Sequence, residues 1–263
     1  EWGDVEAVEK VIDAVALQKN GLGRLLCEGV YRAAQKLEEL KNTPVLKYAI
    51  YGKGGAAFIE DVRNTPSWAL NQAVASRGAD HLKGAGTLDK LNNNPAISEH
   101  YFGTPKGAEP NTTTLKGAGS AVCEDRSALL GCLGICLFVI GGDPLTYSDD
   151  LFARAVHAAT GLEMKGKELL LAGKRAVNLE KAFNSRLGRG REDDMLCERW
   201  MKEPMPEGPG KGWKAEDSLE ELKSEYYEWH GWDRESSLQK RATLEELGMG
   251  DVAEILSKES ALS

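Results

Sequence analysis

Apolar residues recur at helical spacing along most of the chain. In the first segment they lie three or four positions apart, at Val5, Val8, Val11, Ile12 and Val15. Asp4 is placed as an N-cap and Asn20-Gly21 as a stop, so this spacing predicts an amphipathic helix. The next segment, 23–42, repeats the pattern. The two segments are therefore predicted to form a helical hairpin, with Cys27 in its core.

The helical pattern breaks between residues 44 and 66, where three glycines interrupt it. This composition is typical of a loop or of short extended structure. Helical spacing returns over 67–77 and is closed by Gly78. Residues 83–116 are rich in glycine, asparagine, proline and threonine, which predicts a long loop. A loop of that length in a compact chain is usually functional or disordered.

The segment "LLGCLGICLFV", residues 129–139, is almost entirely apolar. It is predicted to be a helix, with Glu124 and Asp125 at its positive N-terminal end and a glycine pair at its stop. On such a helix Cys132 and Cys136 lie one turn apart and share a face. The residues alone favour two core cysteines, because free cysteine is often buried and two thiolates cannot complete a tetrahedral metal site.

Six further segments are predicted to be helical: 148–160, 166–186, 191–202, 218–230, 243–247 and 251–258. On the second of these, Val177, Leu179 and Phe183 are placed on one side. Thr243 and Glu246 have capping-box spacing. Period-two alternation does not extend beyond a few residues anywhere, and no repeat is visible. The sequence thus predicts an all-α fold, an irregular multi-helix array.

Composition excludes several classes of protein. The chain has 33 basic and 41 acidic residues, a net charge of −8, and no basic stripe, so nucleic acid is not expected as a partner. Its longest apolar stretch, 128–142, is too short to cross a bilayer, and no membrane span is predicted. No signal peptide is predicted from the amphipathic opening segment. Five scattered cysteines favour a reducing compartment, the cytoplasm, over a disulfide scaffold.

A few residues are candidates for chemistry. His81 follows a predicted helix; a lone histidine is most often structural, and the alternative is acid–base chemistry, because imidazole titrates near neutrality. The glycine-rich "GKGG" at 52–55 lacks the strand and spacing of a phosphate loop. Asp193-Asp194 is better explained as the start of a surface helix than as a divalent-metal site. His230 is explained by a helix C-terminus, where a cation is favourable.

Five ordered segments together resemble the carboxy-terminal part of the tungsten-containing aldehyde:ferredoxin oxidoreductases. They are the opening hairpin with "LLCEGVYRAA", then "ALNQAVASRGADHLKG", "ALLGCLGICLF", "AVNLEKAFNSRLGRGREDDMLCERWMKEPMPEGPGKG" and the tail 218–249. The resemblance extends over nearly the whole chain. It implies that residues 1–48 are a helical hairpin ending a middle helical domain, and that 49–263 form the C-terminal helical domain.

In that family a buried tungsten is held by two pterin dithiolenes beside a 4Fe-4S cluster. The resemblance implies that Gly134, Ile135 and Cys136 lie at the cofactors, with the Cys136 thiolate as a metal ligand, the fourth of the cluster. Cluster potential depends on burial and hydrogen bonding. The resemblance also places His81 near the tungsten, as a catalytic proton donor or acceptor. Cys132 keeps its predicted place in the core.

The chain departs from the family in two respects. Gly131 stands where the family has an aspartate that contacts a pterin, so that contact is lost or supplied otherwise. The β-rich amino-terminal base of the family, with three further cluster cysteines, is not in this sequence. The resemblance therefore implies a missing N-terminal half of the same enzyme as the main partner.

The activity implied is the oxidation of aldehydes to carboxylic acids, with electrons passed to ferredoxin or an electron-transfer subunit. A first alternative is the tungsten subunit of a benzoyl-CoA reductase, acting on an acyl-CoA. A second alternative, from another class, is a non-catalytic helical scaffold or assembly subunit without its own metal site.

Overall fold

A computed structural model describes residues 2–57, 61–84, 94–110 and 112–263. These residues form twelve α-helices, five short 3-10 turns and one two-stranded hairpin, which confirms the predicted all-α fold. The helices are α1 Val5–Ala16, α2 Gly21–Leu26, α3 Val30–Lys41, α4 Pro66–Val74, α5 Pro95–Phe102, α6 Lys116–Cys132, α7 Asp149–Thr160, α8 Gly166–Arg186, α9 Glu198–Lys202, α10 Leu219–Trp229, α11 Arg241–Glu246 and α12 Gly250–Lys258. The strands are β1 Tyr51–Gly52 and β2 Gly55–Ala56. None of the described helices is long and apolar enough to cross a membrane.

The N-terminal hairpin forms as predicted except in its second arm. Asp4 caps α1 and accepts a hydrogen bond from the Ala7 N–H at 3.1 Å. The second arm divides into α2 and α3, because Gly29 has φ 87°, a conformation that favours glycine and interrupts a helix. Cys27 lies in this break and is partly exposed, so its predicted place in a core is wrong. The apolar face of α1 is also exposed, with Ile12 at 61%.

The stretch 44–66 contains the short extended structure predicted for it. Strands β1 and β2 pair antiparallel through a turn at Lys53 and Gly54, whose φ angles of 47° and 74° are those of a tight hairpin. Gly52 also bridges to Leu196, far along the chain. The hairpin is therefore fixed to the C-terminal part of the fold.

The main core lies among α4, α6 and α10. Every residue of α4 is buried, and α4 packs against the other two helices. Helix α8 lies along α6, and at their closest approach a Cβ added to Gly173 would lie 2.1 Å from the Asp125 carbonyl oxygen. A side chain does not fit at that distance. Gly173 therefore sets the spacing between α6 and α8.

The long loop predicted over 83–116 is wrong for its second half. Helix α5 occupies that part, capped by Asn94, and a 3-10 turn follows at Pro105–Ala108. The local signal is an asparagine N-cap followed by proline at the first helical position. Residues 85–93 and 111 of the predicted loop lie outside the described residues.

Helix α6 begins at Lys116, well before the start predicted at Glu124 and Asp125. Both carboxylates lie in the middle of the helix and are buried, so the prediction of a helix start there is wrong. A carboxylate suits an exposed helix start for electrostatic reasons. Here the partners of both side chains come from another helix, which the local pattern does not show.

The helix predicted through 129–139 ends early, at Cys132. Gly134 has φ 70°, and the Ile135 N–H donates to the Leu130 carbonyl at 2.9 Å, which is a Schellman-type helix end. Cys136 therefore lies outside α6. The prediction that the two cysteines share a helix face is wrong.

Most of the later helices match their predictions. Ser148 caps α7, and α8 has the predicted bounds. The predicted helix 191–202 is instead a 3-10 turn followed by α9. Thr243 lies inside α11 and donates to the Gly231 carbonyl at 2.6 Å, so the capping-box prediction is wrong.

The apolar positions of α8 do not share one side. Val177 is buried, whereas Leu179 and Phe183 are 56% and 63% exposed. The helix therefore presents an apolar stripe to solvent beside its buried face.

The division of the chain into two domains at residue 48 stays a prediction.

Candidate functional site

Residues 76–84, called the His81 segment, follow α4, which ends at Val74 instead of the predicted Arg77. The His81 ring stacks on the Trp68 ring, with centroids 4.3 Å apart and planes at 17°. Trp68 is a buried residue of α4. The packed core thus fixes the plane of the imidazole.

Helix α8 holds both ends of the His81 segment. Ser76 Oγ donates to Glu180 Oε2, and Lys83 Nζ donates to Glu180 Oε1 at 2.7 Å. One turn further, Asn184 Nδ2 donates to the Ser76 carbonyl at 2.7 Å. The segment is therefore attached to α8 by side chains that face it from a single helix.

Hydrogen bonds inside the His81 segment fix its turn. Asp80 accepts from the Leu82 N–H at 2.7 Å and pairs with Arg77. The Asp80 side chain is 11% exposed, so it is not the solvated charge that its sequence context favours. Gly84 closes the segment, and a Cβ there would lie 1.7 Å from Asn71 Oδ1. The segment therefore has little freedom to change its path.

A cleft of about 470 Å³ opens beside the His81 segment. Its lining includes the glycine-rich turn of the β-hairpin, the start of the segment and the end of α8, with Lys53, Arg77 and Arg189 as cations. The "GKGG" stretch thus forms one wall of a cleft. Arg77 and Arg189 are paired with Asp80 and Asp193, so the wall is not a free cationic surface.

Cys136 lies on an exposed turn just beyond α6. A Cβ added to Gly131 or to Gly134 would meet no atom within 4 Å, so the surface beside Cys136 is open. Phe138 and Val139, two and three positions further on, are 70% and 77% exposed. An open, apolar surface around a thiol is suited to contact with another body.

Cys132 is also exposed, so its predicted place in the core is wrong. The helix stops at this residue, and its side chain is therefore not carried into the packed interior. The other two cysteines beyond the hairpin, Cys123 and Cys197, are buried. The cysteines that pack in the core are therefore two for which no prediction was made.

Sequence reasoning missed a buried polar cluster between α6 and α10. Glu124 Oε2 accepts a hydrogen bond from Tyr226 and lies 3.1 Å from His230 Nε2. The Asp125 Oδ1 atom is 3.8 Å from His230 Nδ1. The His230 ring stacks on Trp232, with centroids 4.6 Å apart. His230 is the C-cap of α10, as its predicted place at a helix C-terminus requires, but it is buried against the two carboxylates of α6.

Burial and neighbouring groups shift the pKa values of Glu124 and Asp125 in opposite directions. Burial alone raises the pKa of Glu124, but the hydrogen bond and charge of His230, with the Tyr226 hydroxyl, outweigh it, so the pKa is lowered. Burial raises the pKa of Asp125 to about 6, and His230 offsets this only in part. Glu124 is therefore the anion of the cluster, and Asp125 binds a proton more readily.

A second buried group lies beneath the β-hairpin. Lys53 Nζ is 2.6 Å from Asp194 Oδ1, and Tyr227 donates to Asp194 Oδ2 at 2.6 Å. Asp194 is buried, so its predicted place at a surface helix start is wrong. Burial also lowers the pKa of Lys181 to about 8, although Asp194 opposes the shift. These contacts explain Lys53 and Asp194 by structure without any metal or phosphate.

Helix α8 contacts both the His81 segment and α6. The described residues do not form a metal site on their own. Among the described residues, no three His, Cys, Asp or Glu side chains lie close enough to hold a metal ion. Cys136 is therefore a single donor. A sequence signal for the buried cluster did exist: Glu124, Asp125 and Arg126 form a charged run in a helix whose other residues are mostly small or apolar.

The fold and these segments define one recognisable class. The family described as aldehyde ferredoxin oxidoreductase, domains 2 & 3, matches residues 1–249. The chain therefore belongs to the aldehyde ferredoxin oxidoreductase family.

Individual relatives agree with this assignment. The tungsten-containing aldehyde ferredoxin oxidoreductase of Pyrococcus furiosus is 30% identical over 252 residues, which cover 95% of this chain and 38% of the relative. The protein of the same name from Thermococcus kodakarensis is also 30% identical, with the same coverage. A third relative, 31% identical, is the aliphatic sulfonate oxidoreductase, WOR-like subunit, of Pyrococcus furiosus. The chain thus spans about two fifths of the length of these relatives.

A solved structure shares the fold. The active-site complex BamBC of benzoyl coenzyme A reductase, in complex with 1,5-dienoyl-CoA, superposes with a TM-score of 0.69 over 98% of this chain and 41% of that one. The sequences are 21% identical, so this likeness supports the arrangement of the helices and nothing about the substrate.

Proposed function

We propose that this chain is the helical C-terminal part of a tungstopterin and iron–sulfur oxidoreductase. In this proposal Cys136 supplies one thiolate of a 4Fe-4S cluster. The observation that carries it is the exposed Cys136 thiol on the open turn beyond α6, in a family whose named members contain tungsten. Thiolates are the usual ligands of such clusters.

The donor set fits one corner of a cluster. A 4Fe-4S cluster is usually held by four thiolates, and the described residues offer Cys136 without a grouped set of further donors. The remaining ligands would come from the part of the polypeptide that the longer relatives have outside the matched region. The open space beside Gly131 and Gly134 leaves room for a bulky group at Cys136. Gly134 and Ile135, beside Cys136, are proposed to lie at the cofactors.

The proposed reaction combines an aldehyde and water into a carboxylic acid, releasing two electrons and two protons. The bound tungstopterin would supply the two-electron chemistry. His81 would accept or donate a proton at a ring nitrogen, in a plane held by Trp68. The electrons would pass to ferredoxin or an electron-transfer subunit.

The experiment compares two neighbouring thiols in the assembled enzyme. Cys136→Ser is expected to lower cluster iron and to remove or alter the cluster EPR signal, because serine is a poor replacement for thiolate. Cys132→Ser is the matched control, since it removes an equally exposed thiol four positions away. Equal iron content and unchanged EPR spectra in both variants would reject Cys136 as a ligand.

The role of His81 is tested in the same enzyme. His81→Asn is expected to reduce turnover while tungsten and iron contents stay at the parental level. His157→Asn, on the exposed side of α7, serves as the control. Parental turnover in His81→Asn would reject the proton-transfer role.

A second candidate substrate is an aromatic acyl-CoA, with reduction in place of oxidation. The residue that favours it is Gly131, which leaves open the position where the family has a pterin-contacting aspartate. Assaying both aldehyde oxidation and dienoyl-CoA formation separates the two. If the assembled protein contains neither tungsten nor iron, the remaining hypothesis is the non-catalytic helical scaffold.

The five cysteines are all free thiols in the structure. Two of them are exposed, and exposed thiols persist in a reducing compartment. We therefore propose the cytoplasm as the location. The partners proposed are the remaining part of the enzyme and an electron acceptor.

A further inference from the structure

We infer that Glu180 is a positioning residue for His81. Its carboxylate fastens both ends of the His81 segment to α8 and so fixes where the imidazole is presented. The inference rests on the proposed function, because it assigns Glu180 a role only if His81 takes part in the reaction.

The contacts of Glu180 are unusual in using both carboxylate oxygens on one short segment. Oε2 accepts from Ser76, at the start of the segment, and Oε1 accepts from Lys83, near its end. His81 lies between these two anchors. A single side chain therefore links the two ends of the segment to each other, in addition to the Asn184 contact at Ser76.

The charge of the carboxylate contributes to the anchor at Lys83. The Lys83 side chain is 19% exposed and that of Glu180 is 41% exposed, so their pair is only partly screened by water. Hydrogen bonds between charged partners are stronger than neutral ones. Replacing the carboxylate with an amide keeps the shape but weakens both anchors.

Helix α8 also fixes the other half of the candidate site. Gly173 allows α8 to approach the Asp125 carbonyl of α6 closely, and α6 is the helix that leads to Cys136. Glu180 lies two turns beyond Gly173, about 10 Å along the axis. The same helix thus touches the His81 segment at one point and α6 at another. Glu180 therefore holds His81 in a set relation to the turn that carries Cys136.

The experiment uses the assembled enzyme with Glu180→Gln and measures three quantities. Amide hydrogen exchange in peptides covering 76–84 is expected to become about tenfold faster, because the segment opens locally. The kcat is expected to fall more than KM rises, and the pH dependence of kcat that His81→Asn abolishes is expected to weaken. Tungsten and iron contents stay at parental levels.

The matched control is Glu259→Gln. Glu259 makes two hydrogen bonds to Arg186 of the same helix, at 2.7 and 2.9 Å, away from the His81 segment. This variant is expected to leave kcat and the exchange of 76–84 unchanged. Parental exchange and parental kcat in Glu180→Gln would overturn the inference.

Further variants separate the failure modes. If Glu180→Gln loses metal through misfolding, Ser76→Ala removes only the Oε2 anchor and is expected to give a smaller change in the same direction. Parental exchange and kcat in that variant overturn the inference. If His81→Asn keeps full turnover, the proton-transfer role of His81 fails and the positioning role of Glu180 fails with it. If His81→Asn is inactive while Glu180→Gln behaves as the parent, only the inference fails.

Discussion

Helix α6 passes through two environments that differ in almost every respect. Its middle carries Glu124 and Asp125, which are 3% and 5% exposed and lie against His230. Its end and the following turn carry Cys132 and Cys136, both exposed. The apolar side chains of Phe138 and Val139 in that turn are exposed, whereas ionisable side chains in the middle of the helix are buried.

This contrast separates a structural site from a candidate functional one. Buried charges need partners. In the middle of α6, Glu124 has them in Tyr226 and His230 at the end of α10. The end of α6 instead has an exposed surface, made of a thiol, glycines with open space beside them, and exposed apolar residues. Perturbed carboxylates are therefore not by themselves the active site here, although such groups often mark one.

The largest expected effect is the loss of unfolding free energy when Gly173 is substituted, compared with the same substitution at Gly131 on the exposed end of α6. Gly173→Ala places a Cβ 2.1 Å from a backbone oxygen of α6, so the helices must separate, and we expect a loss of about 3 kcal/mol of unfolding free energy. Gly131→Ala meets no atom within 4 Å. It is expected to gain about 0.5 kcal/mol from helix propensity. Urea unfolding measures both, and similar effects for the two would erase the contrast.

A second prediction concerns the pH dependence of stability. The pKa of Asp125 is raised from 3.8 to about 6 in the folded chain, so the folded state binds more protons than the unfolded state between these values. Stability from this group is therefore present below pH 3.8 and falls as the pH rises towards 6, by up to about 3 kcal/mol.

Asp125→Asn removes this dependence because the amide does not titrate. The variant is expected to be more stable than the parent above pH 6 and closer to it at pH 4. Asp251→Asn, an exposed change of equal charge, is the control. Unfolding curves at pH 4, 5 and 7 test the prediction, and a constant difference between parent and variant would contradict it.

The smallest effect is expected at the exposed turn. Phe138→Ser alters a side chain that is 70% exposed, so unfolding free energy should change by less than about 0.5 kcal/mol. Leu130→Ala, at 2% exposure two residues before the helix end, should cost about 3 kcal/mol. Thermal unfolding compares them. A large loss for Phe138→Ser would show that the turn is part of the core.

Much of the helical fold could be predicted from the sequence, because its signals act within one helical turn. Asp4 caps α1, Ser148 caps α7, and a glycine follows α7, each by contacts to residues three or four positions away. Both of these helices were predicted well, whereas α5, although capped by Asn94, was predicted to be loop. Segments without a cap, such as the start of α6, were placed wrongly.

The candidate site divides in the same way. His81 and Cys136 were chosen by their place in family segments, and their roles remain proposals. Glu180, which holds the His81 segment, is 104 positions from Ser76 and could not be found from spacing. The open surface at Cys136 depends on the early end of α6, which was not predicted.

By itself, the sequence determined the helical class and the bounds of helices such as α7 and α8, since local hydrogen bonds and apolar spacing depend on neighbouring residues. Its resemblance to known segments indicated the oxidoreductase family. Only the tertiary structure decided which charges are buried. Glu124 and His230 are 106 positions apart, and the free energy of burying a carboxylate depends on whether such a distant partner arrives. That pairing is a property of helix packing, and no local pattern contains it.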